Sequence, residues 1–523
     1  MRTNSNCHSL FPQDSEPGDE ARPGPSGEAK RRKVVRETLR WKKKDLERVL
    51  PDWTVAPPEF LHEDLTPTKQ FERFFDDEVL VYIVAQTERY AQQCGDHRFN
   101  TSVSEIRGFL GILFISGYAP LPRRPLYWEN EEDVHNPAVA GAMPRNRFDL
   151  LMKYLHLADN QHLTQGDKST KVRPLYDMLN KRFIKYFPLS QEVSIDESMV
   201  PYYGKHSMKQ CIRGKPIRFG YKQWVLATPL GYAIYLSPYQ GAAAGYDKTL
   251  GLGHSVVVDL VSQLPPSLPF HVFIDNFFTG MSLLQDLTER GLGATGTVRT
   301  NRIDKCPLKQ ISKEERGAFD YRSSADGSIT VCCWMDNSVV TMASNVHGVF
   351  PLQKVQRWSA KETKRINVDQ PGMVKAYNKG MGGVDRMDQN VGAYRISMRT
   401  KKWWWPFLAF ICDCALQNAW LLYRESPANA RAPMDLLAFK RQVALTYTKA
   451  LSASRSISKI TVGRPAPVSR RVPEDLRFDG KDHYLDNGPT RRRCAQCGKK
   501  TKVLCLKCQI PCHIECSPAF HTP

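Results

Sequence analysis

The sequence predicts a multidomain α/β protein, and three observations carry that prediction. Helical periodicity runs through residues 68–190 and returns from 384 to about 451. Between these stretches, from about 191, short runs rich in β-branched and aromatic residues alternate with helical ones, the pattern of a mixed sheet. Cysteines and histidines gather after residue 491, and thirty residues can bury no useful core without a metal. At 523 residues the chain exceeds what one core holds.

Residues 1–64 are expected to be disordered, being rich in Pro, Gly, Ser and charge around 11–28. A basic cluster at Lys30–Lys33 reads either as a nuclear import signal or as a solvated arm. In FERFFDDEVLVYIVAQTERY, Phe71, Phe74, Phe75, Val79, Ile83 and Tyr90 fall near one helical face. Ser102 and Glu105 form a capping box before Ile106–Tyr118. VSIDES, GYKQWVLATP, YAIYLSPY and FHVFIDN read as strands, and SVVVDLVSQL and MSLLQDLTERG as helices. Residues 304–372 read as a β-rich insertion with turns at Asp326-Gly327 and Asp336-Asn337. Pro406 suits the first turn of a helix over Phe407–Tyr423.

Composition narrows the function. Lys and Arg outnumber Asp and Glu by 74 to 54, a formal charge of +20. That points to a polyanionic partner, nucleic acid before membrane. The opening residues lack the apolar core of a secretory signal. The apolar stretches 109–118 and 406–423 are too short or carry Asp413, Gln417 and Asn418, so both read as core helices and no membrane partner is expected. The 14 cysteines are expected to be mostly reduced or metal-bound.

Three acidic positions stand out. Asp196 lies in a strand and Asp275 where an apolar strand ends. Asp385 and Asp388 follow Gly382-Gly383 at a helix start, three residues apart on one face. A carboxylate at a buried strand is costly unless a metal, a hydrogen bond or a cation compensates. Each alone also reads as a cap or turn residue. Two Mg²⁺ ions about 4 Å apart can clamp the attacking and leaving oxygens of phosphoryl transfer, and magnesium needs only a few carboxylates because it keeps water.

Here the chain resembles the piggyBac transposase family over roughly residues 65–523. The resemblance is carried by DESM at 196–199, DNFFT at 275–279, TVRTNR at 297–302, YNKGMGGVDRMDQ at 377–389, KWWWP at 402–406 and the terminal cysteine cluster. It implies an RNase H-like catalytic core with a β-rich insertion before the last acid. It makes Asp196, Asp275 and Asp385 the ligands of Mg²⁺ or Mn²⁺, with Asp388 a fourth acid of the same site. It implies cut-and-paste transposition at TTAA sites through hairpin ends, a homodimer on double-stranded DNA, and a nuclear location. The alternative is a domesticated DNA- or chromatin-binding derivative that no longer transposes.

Basic residues follow the acids. Lys205, Arg213, Lys215, Arg218 and Lys222 read either as a DNA groove or as a solvated strand face. Arg299 and Arg302 match a basic pair that touches DNA in the resembled family. Arg395, Arg399, Lys401 and Lys402 are candidate phosphate contacts. Trp403, Trp404 and Trp405 suit either base stacking or core packing, and Trp405 aligns with a Trp-Pro element near the family's active site.

At the C-terminus, Cys494, Cys497, Cys505, Cys508, Cys512, His513, Cys516 and His521 offer ligands for two Zn²⁺ in a cross-braced finger. Whether Cys512 or His513 ligates stays open. The resembled family ends Cys-Phe-x-x-Tyr-His; here Ser517 replaces the phenylalanine. The expected organisation is a disordered region 1–64, a helical dimerisation and DNA-binding part 65–190, a core 191–303, an insertion 304–372, a second core part 373–394, a second helical part 395–452, a linker 453–490 and a zinc-binding domain 491–523.

Overall fold

The computed structural model describes residues 39–46, 48–241, 246–247, 249–360, 362–461, 472 and 474–522. Contacts divide the chain between Arg40 and Trp41, and every helix and strand described belongs to the unit that begins at Trp41. The basic cluster Lys30–Lys33 and positions 11–28 lie outside the described residues.

The expected disorder of residues 1–64 does not extend to their last third. Strand β1 (Trp41–Lys42) pairs with Ser323 and Ser324, and a 3₁₀ turn spans Glu59–His62. Specific anchors hold this polar segment. Asp45 accepts from the backbone N–H of Val349 and Phe350, and the Trp53 ring lies 5.3 Å from that of Phe270.

Helices α1 (Pro67–Glu72), α2 (Asp77–Gln93), α3 (Val103–Tyr118), α4 (Pro137–Ala142), α5 (Arg145–Tyr154) and α6 (Arg173–Lys185) come next. Asp76 caps α2 through Val79 N–H, which divides the first apolar run into two helices. Phe71, Phe74, Phe75, Val79 and Ile83 are buried; Tyr90 is half-buried. Each fully buried large side chain contributes roughly 1.5–3 kcal/mol. Ser102 caps α3 as expected, but the Glu105 carboxylate turns to Arg147 and Thr101 instead of closing the capping box.

The sheet strands are β2 (Glu192–Pro201), β3 (Lys209–Cys211), β4 (Phe219–Ala227), β5 (Ala233–Pro238), β6 (His271–Ile274), β7 (Gly293–Thr297), β8 (Phe319–Ser324), β9 (Thr330–Met335) and β10 (Val339–Ser344). Helices α7 (Leu252–Val261) and α8 (Met281–Glu289) join β5 to β6 and β6 to β7. All these strands, with β1, make one ten-stranded sheet in the order β1-β8-β9-β10-β7-β6-β2-β4-β3, with β5 also on β4. β2, β6 and β7 are parallel; the other pairs are antiparallel. The expected insertion is thus no separate β body. Its first three strands prolong the main sheet through β10 on β7. Only β11 (Gln353–Ser359) and β12 (Lys364–Gln370) form a hairpin of their own.

Helices α9 (Gly372–Gly380) and α10 (Gly383–Ala393) return to the sheet, so helix begins well before residue 384. α11 (Trp405–Glu425) and α12 (Leu436–Thr461) then pack with α1 and α3. At Gly111 a Cβ would come within 2.9 Å of the Ala444 carbonyl oxygen, so the bare glycine lets α12 approach. By length and composition α11 is apolar enough to cross a membrane, yet 94% of its most apolar 18-residue stretch is buried inside the protein. Its polar residues are paired inside: Asp413 with Lys440 at 2.7 Å, and Asn418 with both backbone groups of Ala233. The last elements are α13 (Glu474–Arg477), the sheet β13 (Leu485–Arg493), β14 (Lys500–Cys505) and β15 (Ile510–Pro511), and α14 (Ser517–His521).

Candidate active site and metal centres

Strand β2 is central, and Val193, Ser194 and Ile195 are all buried because both faces of the sheet are covered. Its parallel register with β6 pairs Ile195 with Ile274. Asp196 and Asp275 each follow by one residue, so they emerge side by side on strands about 4.8 Å apart. Asp196 is not at a strand end, since β2 runs on to Pro201; it lies just beyond the last residue that β6 covers. Asp275 opens the loop after β6 and accepts from Phe277 N–H at 2.8 Å. Asp196 accepts from Glu197 N–H at 2.8 Å.

Helix α10 brings the other acids. At Gly383 an added Cβ would lie 2.3 Å from the Thr228 carbonyl oxygen and 2.5 Å from Ser194 Oγ. Only glycine permits that docking on β2. One turn on, Ser198 Oγ donates to Asp388 Oδ1 at 2.6 Å. Ser198 and Asp196 share a face of β2, so the start of α10 lies over the strand that carries Asp196. Asp385 is exposed in the first turn of α10, and Asp388 is half-buried.

Crowding and burial suppress ionisation here. Desolvation, reinforced by the charge of Glu197, pushes the Asp196 carboxyl up to about 7. Desolvation raises Asp275 and lifts Asp388 to about 6, the latter against the Ser198 hydrogen bond. Hard carboxylate oxygens that resist ionisation among themselves form a donor set that a hard divalent cation satisfies. Among the described residues these acids are not drawn into one tight cluster, unlike the Cys/His sets at the C-terminus.

The basic residues separate by environment. Lys205, Arg213, Arg299, Arg399 and Lys401 are exposed. Lys215 Nζ lies 3.3 Å from Glu197 Oε1. Arg299 Nε donates to Asn276 Oδ1 at 3.3 Å, and Arg302 Nη1 donates to Phe277 O at 2.7 Å and Asn276 O at 3.2 Å, so both brace the loop after Asp275. Lys402 does not reach out to solvent as a phosphate contact would. Its ammonium donates to the carbonyls of Leu155 at 2.7 Å and Lys153 at 2.9 Å, and burial lowers it to about 8. Trp405 is likewise unable to stack on a base: it is buried, and its Nε1 donates to Met398 O at 2.8 Å. Trp403 stacks on His206 at 4.1 Å.

At the C-terminus two sets of four ligand atoms each lie within 4.8 Å of one another. One is Cys494, Cys497, His513 and Cys516; the other is His483, Cys505, Cys508 and His521. Tetrahedral zinc with Zn–S of ~2.3 Å and Zn–N of ~2.05 Å sets S···N near ~3.5 Å. Cys505 and Cys508 Sγ both lie 3.5 Å from His483 Nδ1, Cys508 Sγ lies 3.5 Å from His521 Nε2, and Cys497 Sγ lies 3.3 Å from His513 Nδ1. These sets could hold zinc. In the second set the other ring nitrogens are oriented as metal-bound histidines require: His483 Nε2 lies 2.9 Å from Asp479 Oδ1, and His521 Nδ1 3.0 Å from Ser517 O. Two expectations are corrected here. Cys512 belongs to neither set and is fully buried in the small core beside Phe520. His483, within the expected linker, takes the eighth place, so the unit extends well upstream of residue 491. A histidine eleven residues before the first CxxC pair was the one signal for it.

Sheet, acids and Cys/His unit together define a class, and residues 66–420 match the family described as Transposase IS4. The chain is 43% identical over 507 residues to human PiggyBac transposable element-derived protein 3, covering 94% of this chain and 83% of that protein. It is 38% identical over 502 residues to human PiggyBac transposable element-derived protein 2, with the same coverages of 94% and 83%. The cryo-EM structure of a piggyBac transposase synaptic complex with hairpin DNA has the same fold, with a TM-score of 0.64 and 22% identity, covering 88% of this chain and 99% of that one. The chain belongs to the piggyBac transposase family.

Proposed function

We propose that the chain is a metal-dependent DNA-cleaving and strand-joining protein of the piggyBac kind, acting as a homodimer in the nucleus on TTAA-flanked DNA through hairpin ends. The observation that carries this is the β2/β6 register, which sets Asp196 beside Asp275 under the helix bearing Asp385. The strand order β5-β4-β2-β6-β7, three antiparallel strands followed by two parallel ones joined through helices, supports the RNase H-like reading of the core.

In this reading Asp196, Asp275 and Asp385 hold Mg²⁺ or Mn²⁺, which supplies an activated oxygen and offsets charge on the transferring phosphoryl group. Asp388, tied to Ser198, fixes the rotation of α10. Arg302 and Arg299 hold the loop that aims Asp275. Lys205, Arg213, Arg399 and Lys401 are the phosphate contacts, each adding to the salt dependence of binding. Two Zn²⁺ fold the C-terminal unit, which recognises transposon ends. Lys402 and Trp405 are packing residues in this reading.

A second reading is DNA or chromatin binding without transposition, favoured by the likeness to relatives named as transposable element-derived. An excision assay with Mg²⁺ on TTAA-flanked DNA separates the two. The native protein is expected to excise and Asp275→Ala to be inactive. Retained binding with no cleavage by either protein overturns the enzyme reading.

A further inference from the structure

The loop that follows Asp275 is held from the face of the sheet that α10 does not cover. On β4, Trp224 lies opposite Glu197 and Lys222 opposite Met199, so these four side chains share one face. Asp196 and Ser198 alternate with them on β2 and point the other way, where Ser198 meets Asp388. The loop reaches round to the Trp224 face with two rings. Phe277 stacks on the buried Trp224 with centroids 5.7 Å apart, and Phe278 meets the same indole edge-on at 5.5 Å. Helix α7 abuts the loop as well: at Gly253 an added Cβ would lie 2.7 Å from the Phe277 carbonyl oxygen.

Lys222 joins this stack to β2. Its Nζ is 3.9 Å from the Trp224 centroid, 5.0 Å from that of Phe277 and 3.8 Å from Glu197 Oε2. The Lys222 side chain is only 13% exposed, and an ammonium shielded against ring faces is held more firmly than one in open water. The two ends of this bridge give it its meaning. Glu197 directly follows Asp196 on β2. Phe277 is second after Asp275, and its N–H donates to Asp275 Oδ1 at 2.8 Å. One cation thus ties the strand that carries one acid to the loop that orients the other.

We propose that Lys222 is a positioning residue which, with Trp224 and Phe277, fixes Asp275 against Asp196 from the far face of the sheet, and that this fixed spacing selects Mg²⁺ over Ca²⁺. This rests on the reading of Asp196, Asp275 and Asp385 as a metal site. Magnesium demands near-octahedral geometry at about 2.0–2.1 Å, whereas calcium accepts irregular geometry at about 2.3–2.6 Å. A carboxylate left free to shift therefore penalises magnesium and spares calcium.

The test is displacement of Mn²⁺ by Mg²⁺ or Ca²⁺ from the zinc-replete full-length protein without DNA, followed by the electron paramagnetic resonance of free Mn²⁺. Lys222→Met is expected to weaken Mg²⁺ binding about tenfold and Ca²⁺ binding less than about threefold. A plain field effect would instead tighten both ions, since a like charge is removed. Lys222→Arg keeps a cation on the rings and is expected to retain the native affinities. Phe277 is half-buried, so Phe277→Leu should fold even where Lys222→Met does not, and it is expected to show the same split between the ions. Adding Lys222→Met to Phe277→Leu is expected to change Mg²⁺ affinity less than about twofold further, because both act through one contact. Equal losses for the two ions, no loss, or full additivity of the two changes would sink the positioning role. Asp275→Ala separates the two readings. If it leaves Mg²⁺ and Mn²⁺ affinity unchanged, the metal-site reading falls and this inference with it. If it weakens binding while Lys222→Met and Phe277→Leu show no split, only this inference falls.

Discussion

Replacing Lys440 by methionine tests what locks the helices behind the sheet. Lys440 and Asp413 have side chains 2% and 3% exposed and meet at 2.7 Å. Lys440 also donates to the Tyr394 carbonyl at 2.6 Å, and Asp413 Oδ2 accepts from Ile396 N–H at 3.0 Å. The pair thereby ties α11 and α12 to the segment that leaves α10. Lys440→Met keeps most of the volume but strands a buried carboxylate and a buried carbonyl. Removing one partner of a buried pair costs about 3–5 kcal/mol. At a urea slope of about 2–3 kcal/mol/M, the midpoint should fall by roughly 1–2.5 M. Unfolding followed by tryptophan fluorescence reads this directly. Asp413→Asn with Lys440→Met removes both charges and keeps an acceptor for Ile396. It should cost less than about 2 kcal/mol, well below the single change. The effect should persist at high salt because water is excluded from the pair. A midpoint shift under about 0.3 M for Lys440→Met, or a double variant no better than the single one, refutes the reasoning.

Metal analysis should find two zinc ions per chain; His483→Ala should lose one, Cys512→Ser none, and chelation should unfold residues 474–522 while the ten-stranded sheet persists. Gly383→Ala should reduce DNA cleavage by about a hundredfold or more with binding retained, since α10 must move off Thr228 and Ser194; native-like rates would show that the docking is not required. His156 is buried against Tyr90, with ring centroids 4.1 Å apart, and desolvation lowers it to about 4. Between the ordinary histidine value near 6.5 and about 4 the unfolded chain binds the extra proton, so this group's stabilisation is full above 6.5 and fades as pH falls. His156→Phe should flatten that part of the stability profile, and an unchanged slope between pH 6.5 and 4 would count against it.

Much of this was legible locally. VSIDES and FHVFIDN announced strands that end in or carry acids, and the glycines before Asp385 announced a close approach. What could not be read was which element meets which. The strands of 319–344 were recognisable, but their ladder to β7 is a pairing set by distant residues. GATGT in β7 has two glycines and an alanine among its five residues, which weaken the strand pattern; at Gly296 an added Cβ would lie 2.7 Å from the Ile274 carbonyl oxygen of β6. Lys402 looked like surface charge; a sequence shows that a side chain is basic, not that two helix-end carbonyls await it. WKKKD looked unfolded because its anchors, Asp320 for Lys43 and the N–H groups of Val349 and Phe350 for Asp45, lie far along the chain.

The order of ligands along the C-terminal unit has a consequence for inheritance. His483 serves one set, Cys494 and Cys497 the other, Cys505 and Cys508 the first again, His513 and Cys516 the second, and His521 the first. No cut in the chain between Cys494 and Cys516 leaves either quartet whole on one side. A premature stop anywhere between Cys494 and Cys516 therefore leaves neither metal set complete, whereas one just after Cys516 removes only His521. A truncation inside this stretch thus costs the unit both metal sites at once.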